Sequence, residues 1–464
     1  MSESAVVMKF GGTSVADAEA MTRVVTIVRR QWESQPRGSR PPVVVVSALS
    51  KVTDGLLRVA DFARAGESKQ ALEFIVQLAE RHVGIARTLT THQRAEHLVK
   101  ALQEDFGRLA GKIAGMAVAG GKAVTPANQD FIVATGELAS SRIVAAAFQE
   151  QGLPATWVDA RDVLVTDAEH TVAAPDMDAT CRNTGLVLAP VSARSEIAVL
   201  GGFIASTGEG ASRATTTLGR GGSDYSAAIF GACLGVAEIQ IWTDVDGMLT
   251  ADPRVVPSPR VVPQLSFAEA SELAYFGAKV LHPATILPAV SKNIPVRILN
   301  SRQPDNPGTL ITSESRREGH LAALACKRDI TVIDITSTRM FMAHGFLRRL
   351  FEVFERFKTA VDVVTTSEVS VSVTVDDTRR LDELVAALSS FAEVTCESKM
   401  AIVSVVGDRL HDDPGVFAQA IMAVNGIPLR LVSQASSRRT FTFVLRDVEA
   451  PDAMTRLHNA LFAD

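Results

Sequence analysis

Residues 5–14 read Ala5-Val6-Val7-Met8-Lys9-Phe10-Gly11-Gly12-Thr13-Ser14, and this stretch decides the fold. An apolar run rich in β-branched residues ends in a lysine, an aromatic residue and two adjacent glycines, and a helical pattern comes next. An unbroken apolar strand, unlike one that alternates apolar with polar, is covered on both faces. The glycine pair lets backbone amides approach an anion closely, and a helix opening after the turn would point its free N–H groups the same way. Lys9, at the strand's end, offers an ammonium to phosphate oxygens. A Gly-Gly pair at a strand–helix junction also serves simply to make the turn, so this stretch alone leaves both readings open.

Moving outward, similar short apolar runs occur at Pro42–Ser47, Thr156–Val158, Ile197–Ile204, Glu238–Trp242 and Val296–Leu299. Helical patterns fall between them at Leu138–Glu150, Ser223–Leu234 and Phe267–Phe276, with a strand-free helical excursion from Asp61 to about Gly115. Strands alternating with helices predict an α/β fold, an αβα sandwich around a mainly parallel sheet. Gln35–Pro42 and the Gly-, Ser- and Thr-rich Ser206–Thr217 read as loops.

From Ile330 the pattern changes to strand, helix, strand, strand, helix, and the series then repeats from Ala401. Val332 and Ile402, Gly345 and Gly415, and Val373 and Phe443 each stand 70 residues apart. Two copies at this spacing indicate a duplicated domain rather than a solenoid. Each copy is most of a ferredoxin-like unit and needs one more strand, for which Leu321–Cys326 and Val394–Cys396 are candidates.

The chain has 464 residues, 47% hydrophobic and 21% charged, which predicts a folded protein of two or three domains. A formal net charge of −5 gives no electrostatic reason to expect nucleic acid or an anionic membrane as partner. The opening MSESAVVMKFGG lacks the pattern of a secretory leader, and no run of eighteen apolar residues occurs. Cys181, Cys233, Cys326 and Cys396 form no C-x-x-C pair and are expected as reduced, buried thiols. The expected compartment is the cytoplasm.

Two further motifs carry chemistry. Thr215-Thr216-Thr217-Leu218-Gly219-Arg220-Gly221-Gly222-Ser223-Asp224 is a hydroxyl- and glycine-rich segment running into an apolar helix, with a cation and a carboxylate of its own. Such a segment can nest phosphates in backbone N–H groups. It is not a dinucleotide fingerprint, because Asp224 stands where the third glycine belongs, and no Walker-type G-x-x-x-x-G-K-[ST] occurs anywhere. Trp242-Thr243-Asp244-Val245-Asp246-Gly247, followed by Asp252-Pro253-Arg254, sets polar groups at a strand's carboxyl end, where parallel sheets bind ligands. Phosphate-friendly loops with cations, and no cluster of metal-binding histidines or cysteines, favour ATP-dependent phosphoryl transfer.

Together, KFGGTS, VVVSALSKVTDGL (Val44–Leu56), ATGE (Ala134–Glu137), TTTLGRGGSDYSA (Thr215–Ala227), WTDVDG with DPRVV (Trp242–Val256) and FGAKVLHP (Phe276–Pro283) resemble the aspartate kinases, in that family's order. The paired modules resemble its tandem ACT domains. The resemblance implies an amino acid kinase catalytic domain over 1–315, a first ACT domain over 330–395, and a second built from 320–329 and 396–464. It implies phosphorylation of L-aspartate by ATP with Mg²⁺, in a homodimer or dimer of dimers. Lys9, Gly11 and Gly12 would hold the transferring phosphate, and Asp224 would orient Lys9 or help place metal and substrate. Ser47, Thr53, Glu137, Phe203, Arg220 and Ser223 would form the aspartate pocket. Thr243, Asp244, Arg254 and Lys279 would handle ATP, with Leu249 where the family often has a tyrosine. A carboxylate nucleophile is already ionised at neutral pH, so no strong general base is required.

Feedback inhibition by lysine is expected at the first ACT module, with threonine as the rival effector. An amino-acid effector needs N–H donors at a helix start and an anion for its ammonium groups. Met340, Gly345, Phe346, Leu347, Val361, Asp362, Ser367 and Glu368 are the candidates. The second copy carries Ser436-Ser437-Arg438-Arg439 where the acidic residue would fall, which favours a single effector site in the first copy. The alternatives are a related kinase for another acidic or N-acylated amino acid, and a non-catalytic amino-acid sensor.

Overall fold

The computed structural model describes residues 5–36, 38–118, 124–208, 213–277, 283–317, 319–337, 344–434 and 437–462. The chain divides into one unit of Met1–Met248 with Val280–Glu314 and another of Leu249–Lys279 with Ser315–Asp464. The first unit's strands are β1 (Val6–Phe10), β2 (Val43–Val46), β3 (Ala155–Val158), β4 (Val165–Thr166), β5 (Ile197–Gly201), β6 (Ile204–Thr207), β7 (Thr215–Thr217) and β8 (Glu238–Thr243). A short β9 (Gln264–Ser266) belongs to the second unit, and β10 (Val296–Asn300) and β11 (Thr309–Thr312) complete the first.

All five residues of β1 are buried, as are all of β2 and β5, because these strands lie in the middle of a sheet with both faces covered. The order runs β3-β5-β2-β1-β8-β10-β11, parallel throughout except for the β10–β11 pair. Chain order departs from β1 in both directions, to β2 on one side and β8 on the other. That reversal opens a crevice at the strands' carboxyl ends. The run expected as one strand over Ile197–Ile204 is two, β5 and β6, broken at Gly202-Phe203. The expected loop Ser206–Thr217 has strand at both ends: Ser206 and Thr207 finish β6, and Thr215–Thr217 form β7, paired antiparallel with it.

The helical excursion forms helices Val52–Arg64, Ser68–Leu89 and His92–Val118. Helix Pro126–Glu150, N-capped by Thr125, is buried almost all round. Among the described helices it is the one long and apolar enough to cross a membrane, yet 89% of its most apolar window is buried inside the protein. Gly136 within it is required by close approach, since a Cβ there would stand 2.9 Å from Ala48 Cβ.

The cysteine expectation needs correction. Cys181, in helix Met177–Ala193, and Cys233, in helix Gly222–Leu234, form a disulfide with Cα atoms 4.8 Å apart. Two cysteines 52 positions apart give no sequence sign of this, because the pairing depends on two helices packing side by side. Cys326 and Cys396 are free, and Cys396 is exposed.

In the second unit β12 (Leu321–Thr336), β13 (Val364–Thr366), β14 (Ser370–Val375), β15 (Glu393–Gly407), β16 (Leu429–Gln434) and β17 (Thr440–Arg446) form one antiparallel sheet, ordered β13-β14-β12-β15-β17-β16. The extra strand each copy requires is fused to the next one: β12 and β15 are long enough to run through both halves of the sheet. Leu324 packs in a core with Val403, Phe443 and Leu457, whereas Ile333 packs with Leu350, Val373 and Leu384. Segment Leu249–Lys279, assigned from sequence to the catalytic domain, clusters with this unit. Ala251 and Val256 join the Phe443 core, and Leu324 N–H donates to the Thr250 carbonyl at 2.7 Å.

Candidate active site

A cavity of about 530 Å³ opens at the carboxyl ends of β1, β2 and β5. Lys9, Ser47, Thr53, Glu137, Phe203, Arg220, Ser223 and Asp224 all line it, so the structure brings together every residue proposed for catalysis and for the aspartate pocket. Their means of arrival differ. Lys9 and Ser47 come from adjacent parallel strands, with Ser47 N–H donating to the Phe10 carbonyl at 3.0 Å. Lys9 is buried, and its Nζ stands 2.6 Å from Asp224 Oδ1 in the first turn of helix Gly222–Leu234.

The Gly11–Gly12 turn is clamped on both sides. Gly11 N–H donates to Trp242 O at 3.0 Å, and Gly12 O accepts from Ser50 N–H at 3.0 Å. The next helix, however, begins only at Ala18 and is capped by Asp17, whose Oδ1 accepts from Ala20 N–H at 2.8 Å. The helix start that faces the cavity belongs instead to Gly222–Leu234, preceded by Gly221 in the left-handed region and bearing no side-chain cap.

Phe203 is held in the left-handed region at φ 68°, costly for a bulky residue. Its N–H donates to Ser226 Oγ at 2.9 Å and its carbonyl accepts from Leu218 N–H at 3.0 Å. A Cβ on Gly222 would fall 2.6 Å from the Phe203 ring, so the helix start and the ring are in direct contact. The helix, β7 and the strained aromatic thus determine one another's positions.

Glu137 is 3% exposed, and its Oε1 accepts from Ala48 N–H at 3.2 Å. Its Oε2 is buried with no partner. Burial pushes the carboxyl up from 4.5 to about 8, against the opposing pull of the backbone N–H groups of Ala48 and Glu137. Arg220 lines the same cavity and is exposed. A buried carboxyl with an unused oxygen, ready to ionise when a cation enters, and a guanidinium in the same cavity have the chemistry to receive a zwitterion.

The nucleotide candidates are less assembled. Thr243 ends β8 and Asp244 follows it, with Thr243 Oγ1 donating to Asp244 Oδ1 at 3.3 Å, and neither lines this cavity. Arg254 lies in the second unit, exposed and paired with Asp252 at 2.6 Å. Lys279 lies outside the described residues.

The effector candidates lie in the second unit. Gly345, at φ 86°, opens helix Phe346–Arg356, and Leu347 is exposed. Phe346 packs edge-on against Phe391 at 5.8 Å in the module core, leaving its backbone rather than its ring for a ligand. Val361 packs on that core, Ser367 Oγ bonds Ser370 Oγ at 2.7 Å, and Glu368 is exposed. Asp362 Oδ1 already holds Lys327 Nζ at 2.7 Å and the Tyr275 hydroxyl at 3.0 Å. The carboxylate put forward for an effector's ammonium is thus already paired within the chain. Met340 lies outside the described residues.

The cavity also takes residues the sequence reading passed over, among them Asp54, Gln129, Asp130, Thr171 and Thr217. Thr217 sits inside a motif read for its glycines. Asp130 precedes Glu137 by seven positions, two helical turns, which is the signal that would have found it.

A parallel α/β sheet with this constellation at its crevice defines an amino acid kinase. The profile of the Amino acid kinase family matches residues 4–300, and that of the ACT domain matches 403–461. The chain is 35% identical to Lysine-sensitive aspartokinase 3 of Escherichia coli, over 98% of this chain and 99% of that one. It is 37% identical to chloroplastic Aspartokinase 3 of Arabidopsis thaliana, over 98% of this chain and 81% of the relative. The crystal structure of E. coli aspartokinase III with aspartate and ADP (R-state) superposes with a TM-score of 0.81 at 35% identity, covering 98% of this chain and 99% of that one. The chain belongs to the amino acid kinase family and, within it, to the aspartokinases.

Proposed function

We propose that this chain transfers the γ-phosphoryl group of ATP to the side-chain carboxylate of L-aspartate, giving 4-phospho-L-aspartate and ADP. The observation that carries the reading is the cavity itself, lined by Glu137 and Arg220 together with the Lys9–Asp224 pair. Glu137 takes the free α-ammonium and Arg220 a carboxylate, while Lys9 neutralises charge developing on the transferring phosphoryl group. Asp224, a hard oxygen donor beside Lys9, would hold Mg²⁺, which would supply further charge neutralisation. Gly11, Gly12, Thr243 and Asp244 contact the nucleotide.

A kinase for an N-acylated acid is disfavoured by Glu137, since a neutral amide cannot form the ion pair with its carboxyl that a free ammonium forms. Lysine acts as a feedback inhibitor at the first ACT-like module, spanning 330–395, in a cytoplasmic homodimer. The relative named as lysine-sensitive and the helix start at Gly345 support this. Hydroxylamine trapping of the acyl phosphate, run on aspartate, glutamate and N-acetylglutamate, tests the reaction. Product with aspartate alone is expected, and product with N-acetylglutamate alone overturns the assignment.

A further inference from the structure

Asp130 is a fully buried carboxylate to which the reaction, as derived above, gives no part. A bare carboxylate is costly to bury, so its partners show what it is for. Oδ1 accepts from Thr217 Oγ1 at 2.6 Å and from Thr171 N–H at 3.1 Å. Oδ2 accepts from the same N–H at 3.1 Å and lies 2.7 Å from His170 Nδ1. These donors come from two segments far from Asp130 in sequence, and neither belongs to its own helix.

Each segment leads to a substrate-contacting group. Asp130 lies two turns before Glu137 on helix Pro126–Glu150, and both line the cavity. Thr217 ends β7, three positions before Arg220. Thr171 takes a left-handed conformation, φ 74°, with its amide directed at the carboxylate. The loop it belongs to is tied along β7 by Ala173 N–H to Thr217 O at 2.9 Å. It also presses on the turn before Arg220, where a Cβ on Gly219 would meet Thr171 O at 3.3 Å. Asp130 thus joins the helix carrying the anion to the turn carrying the cation.

We infer that Asp130 is a positioning residue, acting through Thr217, Thr171 and His170, that sets the span between Glu137 and Arg220 and so tunes the cavity to the length of a four-carbon amino dicarboxylate. The inference rests on the pocket reading above. It gives Asp130 no contact with ATP, so loosening the tie acts on the acid substrate and spares the nucleotide.

The test compares Asp130→Asn, Thr217→Val and Thr217→Ser with Arg220→Ala in the full-length protein. KM for aspartate and for ATP, kcat, and turnover of glutamate are measured for each. Thr217→Val keeps the shape of the side chain and removes only the hydroxyl, so it guards against a failure of Asp130→Asn to fold. Both are expected to raise aspartate KM about tenfold or more and to narrow the preference for aspartate over glutamate, with ATP KM within about twofold of wild type. Thr217→Ser restores the hydroxyl and should return aspartate KM to within about threefold. A purely structural defect would move both KM values together, or resist rescue by serine, and either result overturns the proposal. If Arg220→Ala raises aspartate KM while Asp130→Asn and Thr217→Val do not, positioning fails and the pocket reading stands. If Arg220→Ala leaves aspartate KM unchanged, the pocket reading fails and takes the proposal with it.

Discussion

Lys9 and Asp224 form an ion pair of 2.6 Å between the end of the central strand and the first turn of helix Gly222–Leu234, with side chains 9% and 16% exposed. Under the proposed function the pair would do two separable things, hold the helix start against the sheet and place an ammonium at the phosphoryl group. Lys9→Ala should lower kcat by about a thousandfold or more, the loss expected for a transition-state charge contact. It also leaves Asp224 unpaired in a mostly buried place, at a cost of about 3–5 kcal/mol. The double variant Lys9→Met, Asp224→Leu should recover much of that stability and none of the activity. Thermal unfolding and steady-state turnover, measured side by side, check both halves.

Arg220→Ala should weaken aspartate binding while leaving ATP affinity near the wild-type value. Arg220 and Glu137 both line the cavity, and Thr243 and Asp244 do not. Calorimetric titration with each ligand separately decides this, and lost nucleotide affinity with intact aspartate binding would reverse the roles.

Much of this site was legible in the sequence, because Lys9, Glu137, Arg220 and Asp224 sit in contiguous motifs whose residue types announce their chemistry. The parallel sheet was legible for a similar reason, since unbroken apolar runs such as Val43–Val46 leave few alternatives to burial on both faces. Asp130 and Thr171 were not, because their significance lies in a carboxylate of one segment meeting an amide of another. The same holds for Asp362, whose neutralising Lys327 comes from β12. The pairing of β6 with β7 within Ser206–Thr217 was not legible because threonine, serine and glycine suit a loop and a short hairpin alike. Helix Ala18–Ser34 starts later than expected because Asp17 supplies the cap.

Glu137 gives a pH signature. Its carboxyl titrates near 8 when the cavity is free, against an ordinary value of 4.5. The native state therefore keeps a proton that the unfolded chain has lost between those values, and stability falls as pH rises through that window. Glu137→Gln should flatten this dependence, a difference of the order of a few kcal/mol by pH 8. An entering ammonium favours the ionised form, so aspartate binding should expel about one proton at pH 7 and tighten as pH rises toward 8. Titrations in buffers of different ionisation enthalpy measure that proton, and Glu137→Gln should abolish it.

Asp362 is paired before any effector arrives: its side chain is 2% exposed, Oδ1 is held by Lys327 and Tyr275, and Oδ2 is buried without a partner. Lys327 is shared with Asp376, also at 2.7 Å, and lies 5.3 Å from the Tyr275 ring centroid. The chain's own lysine ammonium thus occupies the anion that an effector ammonium would seek. A lysine effector must take the unused oxygen or displace Lys327 toward Asp376, and both routes make Lys327 a competitor. Two opposite outcomes follow. Asp362→Asn removes the attraction and should raise the lysine concentration for half-inhibition about tenfold or more. Lys327→Met removes the competitor and leaves an unneutralised carboxylate, so half-inhibition should occur at lower lysine, and lysine should raise the melting temperature of this variant more than that of wild type. Titrating lysine and threonine against turnover in all three proteins reads this out, with each variant's own uninhibited rate as its reference. Wild-type turnover unaffected by millimolar lysine would remove the effector assignment. Inhibition unchanged in Asp362→Asn would move the site away from this carboxylate, and a shift of both variants in the same direction would rule out competition by Lys327.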